Sequence, residues 1–238
     1  MSNASSTAVP GASERIIMHI ESDILHGRIG KGDKLPTERQ MAQTMGISRA
    51  SVREALKTLE AMGIIKSIQG SGNYITDTPE KSLDRSLCAL FALSNGTLDN
   101  LMQLRILLET EAFKDIANYA SDEEIEAIAT KAEYEYFDGS IENQVQRDRA
   151  FHLAIVEQSR NIMIKYLYNT LCALFDVYWQ RVYDATLRRN DNDITRSDHL
   201  AIADALRKRD AAAAERALRR HLTNSEYQDV LDRSFKTI

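Results

Sequence analysis

The apolar positions in the first quarter of the chain predict three short helices. Isoleucine recurs at helical spacing in a first helix that begins at Ser13 and ends at Gly27, where glycine suits a C-cap. Thr37 stands three residues before Gln40, which is the spacing of a capping box, and opens a second helix. Ser48 caps a third. Its predicted inward face comprises Val52, Ala55, Leu56, Leu59 and Met62. Two short helices joined by a tight turn, the second opened by a serine, are typical of a helix-turn-helix.

Runs of β-prone residues follow the third helix. Residues 64–69 and 73–76 flank a glycine turn at 70–72, an arrangement that predicts a β-hairpin. A hairpin in this place is the wing of a winged helix. Between the first and second helices, the glycines of residues 30–36 predict a turn.

Three cations line the outward face of the predicted third helix. Arg49, Arg53 and Lys57 lie at i, i+4 and i+8, on the side opposite the apolar stripe. Arginine suits bidentate contact with guanine in the major groove, and the helix N-terminus beside Ser48 suits phosphate. Three cations alone are more typical of a solvated helix surface. The complete order of three helices and a hairpin favours the interpretation as a DNA-binding face.

The rest of the chain predicts only helices. Thr76–Pro79 reads as a short linker, and seven helical patterns follow it. They cover residues 82–93, 97–118, 121–137, 141–159, 162–183, 194–207 and 211–231. The predicted fold class is therefore mainly α. We expect a disordered arm over 1–12, a winged helix-turn-helix over 13–77, and an all-α bundle over 78–238.

Composition and charge narrow the classes of function. With 43% hydrophobic and 27% charged residues and no apolar run of about 20, the chain has no predicted membrane helix. It also shows no signal peptide, so we expect a cytoplasmic protein. Cys88 and Cys172 are too few for a disulfide framework or a cysteine-based zinc site. Residues 1–77 hold 9 basic against 8 acidic residues and the remainder holds 21 against 27, so any contact with DNA depends on a few placed cations.

Three histidines and an aspartate mark the bundle as a candidate metal site. Asp148 and His152 lie four residues apart on one helical stripe, and His199 and His221 each lie on the apolar stripe of another predicted helix. Three imidazoles and one carboxylate suit Zn²⁺ or another divalent ion such as Ni²⁺, Mn²⁺ or Fe²⁺. The alternative is hydrogen-bonded core histidines and an ordinary i,i+4 pair. Spacing leaves both open, because it does not show that the three helices meet.

The first domain resembles the winged helix of GntR-family bacterial transcription regulators. The resemblance covers nearly all of residues 14–76 and rests on Leu35-Pro36-Thr37-Glu38-Arg39, Gly46-Ile47-Ser48-Arg49-Ala50-Ser51-Val52-Arg53-Glu54-Ala55-Leu56, Leu59, Gly63-Ile64-Ile65 and Gly70-Ser71-Gly72. It implies DNA contacts by Arg39, Ser48, Arg49, Ser51, Arg53 and Gly70. We expect Glu54, beside this face, to form a surface pair with Lys57 or Arg53.

The second domain resembles the FCD effector domain of the FadR branch of that family. The matching segments are Arg105-Ile106-Leu107-Leu108-Glu109, Asp148-Arg149-Ala150-Phe151-His152, Ser159-Arg160-Asn161, Asp198-His199 with Ile202, and Arg220-His221-Leu222. The resemblance implies that Asp148, His152, His199 and His221 bind a divalent metal, zinc first among the candidates. It also implies a small organic acid as effector, with Arg105 facing its carboxylate; a surface or intrahelical partnership of Arg105 with Glu109 is the alternative.

These features together predict an effector-controlled transcription regulator, of the repressor kind. We expect it to act as a homodimer on a palindromic double-stranded operator, and to lie at the nucleoid when bound there. Two alternatives remain at this point. The bundle could be a metal-dependent enzyme, although the sequence offers no convincing general base beside the metal set. The metal itself could be the signal, with no organic ligand.

Overall fold

The computed structural model describes residues 10–78, 80–133, 141–186 and 192–223. They belong to two units that divide between Arg85 and Ser86. Most of the predicted arm and the predicted helix ends at 134–137 and 224–231 lie outside the described residues. Within these ranges, no helix is both long and apolar enough to cross a membrane.

Three helices open the first unit. They are α1 (Ala12–Leu25), α2 (Glu38–Met45) and α3 (Arg49–Ala61). The predicted capping box is confirmed, because the Gln40 backbone N–H donates to Thr37 Oγ1 at 3.3 Å and the Thr37 N–H donates to Gln40 Oε1 at 2.9 Å. Gly46 ends α2 with a φ of 66°, a left-handed conformation that glycine adopts without strain. Ser48, two residues after Gly46, caps α3, so the chain turns sharply between the two helices.

The predicted wing is also present. Strands β1 (Ile65–Ile68) and β2 (Gly72–Ile75) pair antiparallel, with Ile65 opposite Ile75. The segment before α2, predicted as a turn, additionally lies along β2: the Leu35 N–H donates to the Asn73 carbonyl at 2.8 Å. Periodicity could not indicate this, because the segment contributes only one isolated bridge to the hairpin.

The core of the first unit joins α1, α3 and the hairpin. Its buried apolar side chains are Ile16, Ile20, Leu35, Met41, Val52, Ala55, Leu56, Leu59, Ile65 and Ile75. Four of the five residues predicted on the inward face of α3 are among them. Met62 is not, with 44% of its surface exposed, because α3 ends at Ala61 and the chain turns away at Gly63.

Seven helices make up the remainder of the described chain, as predicted. They are α4 (Glu80–Leu93), α5 (Leu98–Tyr119), α6 (Asp122–Glu133), α7 (Ile141–Val156), α8 (Ile162–Thr186), α9 (Asn192–Arg207) and α10 (Ala211–Thr223). Helix α9 packs against α6 and α10, and α5 packs against α7, α8 and α10. The largest fully buried side chains of this bundle are Phe113, Ile116, Ile128, Phe151, Ile155, Tyr168, Leu171, Ile202, Leu206 and Leu218. Helices α5, α7, α9 and α10 therefore share one core.

We expect Ile128→Ala to lower the free energy of unfolding of the bundle by about 2 to 5 kcal/mol, because it opens a cavity beneath α6. Lys131→Ala removes an exposed side chain from the same helix and should change the free energy of unfolding by less than about 0.5 kcal/mol. Urea unfolding followed by circular dichroism compares the two. Equal effects would contradict the packing of α6 on α9.

Candidate metal centre and nucleic-acid interface

The structure brings all four predicted metal ligands together inside the bundle. Asp148 and His152 come from α7, His199 from α9 and His221 from α10. His152 Nε2 and His221 Nε2 lie 3.1 and 3.3 Å from His199 Nε2. Asp148 Oδ1 lies 3.2 Å from His199 Nε2 and 3.6 Å from the Nε2 atom of each of the other two histidines. The imidazoles are buried, and the Asp148 side chain keeps 13% of its surface exposed.

These spacings fit a single cation. Four ligands at about 2.0 to 2.1 Å around a tetrahedral ion lie about 3.3 to 3.4 Å from one another. Five of the six distances between these atoms run from 3.1 to 3.6 Å, and all four atoms lie within 4.8 Å of one another. Hydrogen bonds alone satisfy such a set poorly, because one N–H on His199 Nε2 can point at only one of its three neighbours. The donor chemistry therefore suits a divalent metal.

A buried carboxylate, Glu109 on α5, orients the first of these histidines. His152 Nδ1 lies 2.6 Å from Glu109 Oε2 and, since an ionised carboxylate only accepts, Nδ1–H is the donor. With Nδ1 engaged in this way, Nε2 is the ring nitrogen that faces the cluster, and in the neutral ring it would be the metal-binding atom. The other oxygen, Oε1, accepts from Arg105 Nε at 2.7 Å and from Tyr168 OH at 2.9 Å. Carboxylate partners of this kind fix the ring of a metal-binding histidine.

Arg105 lies beside the cluster. Its side chain is buried and pairs with Glu109 within α5, so the predicted intrahelical partnership is confirmed, but a surface location is wrong. Arg105 Nη2 also lies 3.5 Å from Asp148 Oδ2, which places the guanidinium next to the candidate metal ligands. Arg105 therefore faces two carboxylates of the protein, Glu109 and Asp148, and its contact with an effector stays a prediction.

A second buried acid stands behind His221. Asp198 Oδ2 lies 3.9 Å from His221 Nδ1, and Asp198 Oδ1 accepts from Arg220 Nε at 2.7 Å. Sequence analysis did not assign a role to Asp198, and it did not predict that Glu109 contacts His152. The signal available for Glu109 was its i,i+4 spacing from Arg105, which surface pairs share.

Burial and neighbouring charges set the protonation of the cluster. Desolvation lowers the pKa of His221 to about 4 and also lowers the pKa of His199, so both rings are neutral near pH 7. Desolvation raises the pKa of Asp148, but His152 and Arg105 outweigh it and hold that pKa well below its usual range. His152 and Arg105 act likewise on Glu109 and lower its pKa to about 2. Burial and Arg105 lower the pKa of His152, but the carboxylates of Glu109 and Asp148 outweigh them and raise it. Neutral imidazoles and an ionised carboxylate are the states that bind metals, so a metal ion would displace a proton from His152.

The residues predicted to contact DNA lie at the start of α2, along α3 and in the wing. Ser48 Oγ accepts from the Ser51 backbone N–H at 3.1 Å and lies 2.9 Å from Ser51 Oγ. The side chains of Arg49 and Arg53 are exposed by 63% and 57%. Arg39 is exposed on α2, and Gly70, with a φ of 75°, is exposed at the turn of the wing. Nothing in this geometry tests the contacts themselves, so they remain predictions.

Glu38, which sequence analysis gave no role, lies against both arginines of α3. Arg53 Nε and Nη2 lie 3.2 and 3.0 Å from the two carboxylate oxygens of Glu38, and Arg49 Nη2 lies 3.8 Å from Glu38 Oε2. We had expected Glu54 to pair with Lys57 or Arg53. Arg53 instead pairs with Glu38 on α2, and the pair of Glu54 with Lys57 stays a prediction. The hydrogen bond from Arg53 lowers the pKa of Glu38.

A winged helix with exposed arginines on α3, followed by a helical bundle that encloses a histidine-rich cluster, defines a DNA-binding regulator with its own sensing domain. The comparisons with known proteins agree. Residues 12–75 match the family of bacterial regulatory proteins called gntR, and residues 100–224 match the FCD domain. This chain belongs to the GntR family and carries an FCD effector-binding domain, so it is a transcription regulator. A metal-dependent enzyme, our alternative, is not supported, because the matching families and relatives are regulators.

Relatives match over almost the whole chain. The HTH-type transcriptional regulator LutR of Bacillus subtilis (strain 168) is 30% identical over 90% of this chain and 98% of its own length. The HTH-type transcriptional repressor NanR of Escherichia coli (strain K12) is 27% identical over 89% of this chain and 82% of its own. Among solved structures, Streptococcus agalactiae GntR has a TM-score of 0.57 at 23% identity, covering 91% of this chain and 99% of its own, and supports the fold.

We expect Glu109→Gln to destabilise the metal-free bundle by about 3 kcal/mol or more, because it leaves the buried Arg105 guanidinium short of one negative partner. Glu111→Gln is the matched control: Glu111 lies on the same helix, is exposed and pairs only at the surface, with Lys114. Urea unfolding in the presence of a chelator measures both. If Glu109→Gln were no more destabilising than Glu111→Gln, Glu109 would not be the anchor of this network.

Proposed function

We propose that this regulator is a repressor whose FCD domain binds a divalent metal ion and a small organic acid. The observation that carries the proposal is the buried convergence of three Nε2 atoms and one carboxylate oxygen, in which His199 Nε2 and Asp148 Oδ1 each lie 3.1 to 3.6 Å from the other three atoms. Asp148, His152, His199 and His221 are the proposed ligands. Repression is favoured by the similarity to NanR of Escherichia coli, a transcriptional repressor.

Zinc is the first candidate for the metal. Three imidazoles and one carboxylate are ligands that zinc accepts, and the ligand spacing suits a four-coordinate ion. Nickel, manganese and iron also accept this set and prefer more ligands. A six-coordinate ion would keep two positions for oxygens of the acid, whereas zinc would add a fifth ligand. A metal held there would supply a Lewis-acidic point of attachment for a carboxylate.

Arg105 supports an acid as the effector. Its guanidinium lies in the bundle beside Asp148, so it offers a fixed positive charge next to the metal position. Arginine presents paired N–H donors that match the two oxygens of a carboxylate. An acid that binds the metal through one oxygen and Arg105 through another meets complementary charge at both. Sugar acids, hydroxy acids and dicarboxylates all carry these groups.

Control of DNA binding follows from linkage. The proposed ligands lie on α7, α9 and α10, so metal and acid would favour one arrangement of these helices. If that arrangement disfavours operator binding, acid and operator weaken each other by the same factor, typically a coupling of about 1 to 3 kcal/mol. We propose a homodimer on a palindromic operator, because one small winged helix reads few bases and a two-fold pair doubles the contacts.

Metal and acid are tested together. We expect elemental analysis of the purified protein to find about one metal ion per chain. Small carboxylates should then raise the unfolding temperature of the metal-loaded protein but not of the chelated protein, since ligand at about 100 times its Kd adds about 2.7 kcal/mol. His199→Ala and His221→Ala should lose the metal.

Arg105→Lys separates the acid from the metal. Lysine keeps the charge but not the paired donors, so this variant should retain the metal and lose most of the stabilisation by acid. A full metal content in both histidine variants would refute the ligand set. Stabilisation by acids that is unchanged in Arg105→Lys would refute the role of Arg105 alone.

Sequence-specific DNA binding is tested on the recognition helix. We expect Arg49→Ala or Arg53→Ala to weaken binding to an operator selected from random duplexes by about 5- to 150-fold, since a bidentate base contact is lost. Arg15→Ala, an exposed change on α1, is the control. Fluorescence anisotropy at fixed salt measures all three, and unchanged affinity in both α3 variants would contradict the assignment.

A further inference from the structure

We propose that Glu38 determines operator specificity by positioning Arg53 for base contact. This rests on the proposed contact of Arg53 with a base. Glu38 is the first residue of α2, whereas Arg53 lies in the second turn of α3. Two hydrogen bonds of 3.2 and 3.0 Å join them, so the carboxylate of one helix fixes the guanidinium of the next.

The geometry of this pair leaves the arginine able to read a base. Arg53 uses Nε and Nη2, which form one side of the guanidinium, for Glu38. A guanidinium has five N–H donors in a rigid fork. The end of the fork, formed by Nη1 and the second hydrogen of Nη2, therefore points away from Glu38. That end is what contacts guanine O6 and N7 in a bidentate pair.

The Glu38 carboxylate also lies where its charge opposes electrostatic attraction to DNA. Glu38 Oε2 lies 3.8 Å from Arg49 Nη2, so its negative charge lies between the two recognition arginines. Such a charge weakens attraction to phosphates, which is the sequence-independent part of DNA affinity. An exposed ion pair also adds little to folding stability. The N-terminus of α2 favours an acid at this position. That effect needs no particular partner, whereas the two hydrogen bonds to Arg53 fix the orientation of a base-reading arginine.

Without Glu38, Arg53 should contribute less to operator binding and more to binding of unrelated DNA. A free arginine side chain has many rotamers and can settle on a phosphate as a simple cation. Loss of Glu38 is then expected to raise affinity for unrelated DNA and lower affinity for the operator. The ratio of the two affinities measures positioning directly.

The experiment compares Glu38→Gln with Glu54→Gln. Both remove one negative charge, and Glu54 is exposed on α3 next to Arg53, so the control matches the charge change without breaking the pair. Affinities of the full-length variants for the selected operator and for a scrambled duplex are measured over a range of salt. We expect the operator-to-scrambled ratio to fall about fivefold or more in Glu38→Gln relative to Glu54→Gln. In an Arg53→Ala background, Glu38→Gln should cause no further fall.

Each other outcome identifies what is wrong. Equal ratios for the two glutamine variants, or additive effects with Arg53→Ala, would overturn the positioning role. Tighter operator binding by Glu38→Gln would overturn it too and make Glu38 an inhibitory latch. Glu38→Asp keeps the charge on a shorter side chain, so full recovery of the ratio would show that charge alone matters. If the wild-type protein fails to prefer its selected operator, the proposed function fails before this inference is reached. Circular dichroism confirms that each variant is folded.

Discussion

The sensing domain depends on how one buried carboxylate is shared. Glu109 accepts hydrogen bonds from Arg105, Tyr168 and His152, side chains of α5, α8 and α7. An ionised carboxylate inside a protein is stable only with such partners. Because each partner in turn faces the histidine cluster or packs in the core, the network ties the chemistry of the site to the packing of the bundle. The same residue thus maintains the fold and aims a proposed ligand.

The two domains arrange their charges according to different needs. In the bundle, oppositely charged groups are buried together, and removal of either leaves the other without compensation. In the winged helix, Glu38, Arg49 and Arg53 are held at the surface, where water screens the pair and where a nucleic acid can reach it. The first arrangement suits a permanent scaffold, and the second suits a reversible contact.

Sequence patterns predicted local features of both sites better than long-range ones. The cap at Ser48 and the spacing of Arg49 and Arg53 depend on single helices, so periodicity placed them. Convergence of His152, His199 and His221 depends on how three helices pack, and only the family resemblance indicated it. The roles of Glu38 and Glu109 were missed for a related reason: a glutamate near an arginine is usual on any helix surface, and its burial or its partner on another helix is set by tertiary structure.

The positions of the clustered histidines along the chain have a consequence for how long the protein survives proteolysis. His152 and His199 are 47 residues apart, and His199 and His221 are 22 apart. A metal ion held by all three would close two loops of chain, much as a pair of cross-links does, and would restrict the unfolded state. A bundle closed in this way opens less often and offers proteases fewer chances to cut. The abundance of the regulator, and not only its occupancy by an effector, would then follow the supply of metal in the cell.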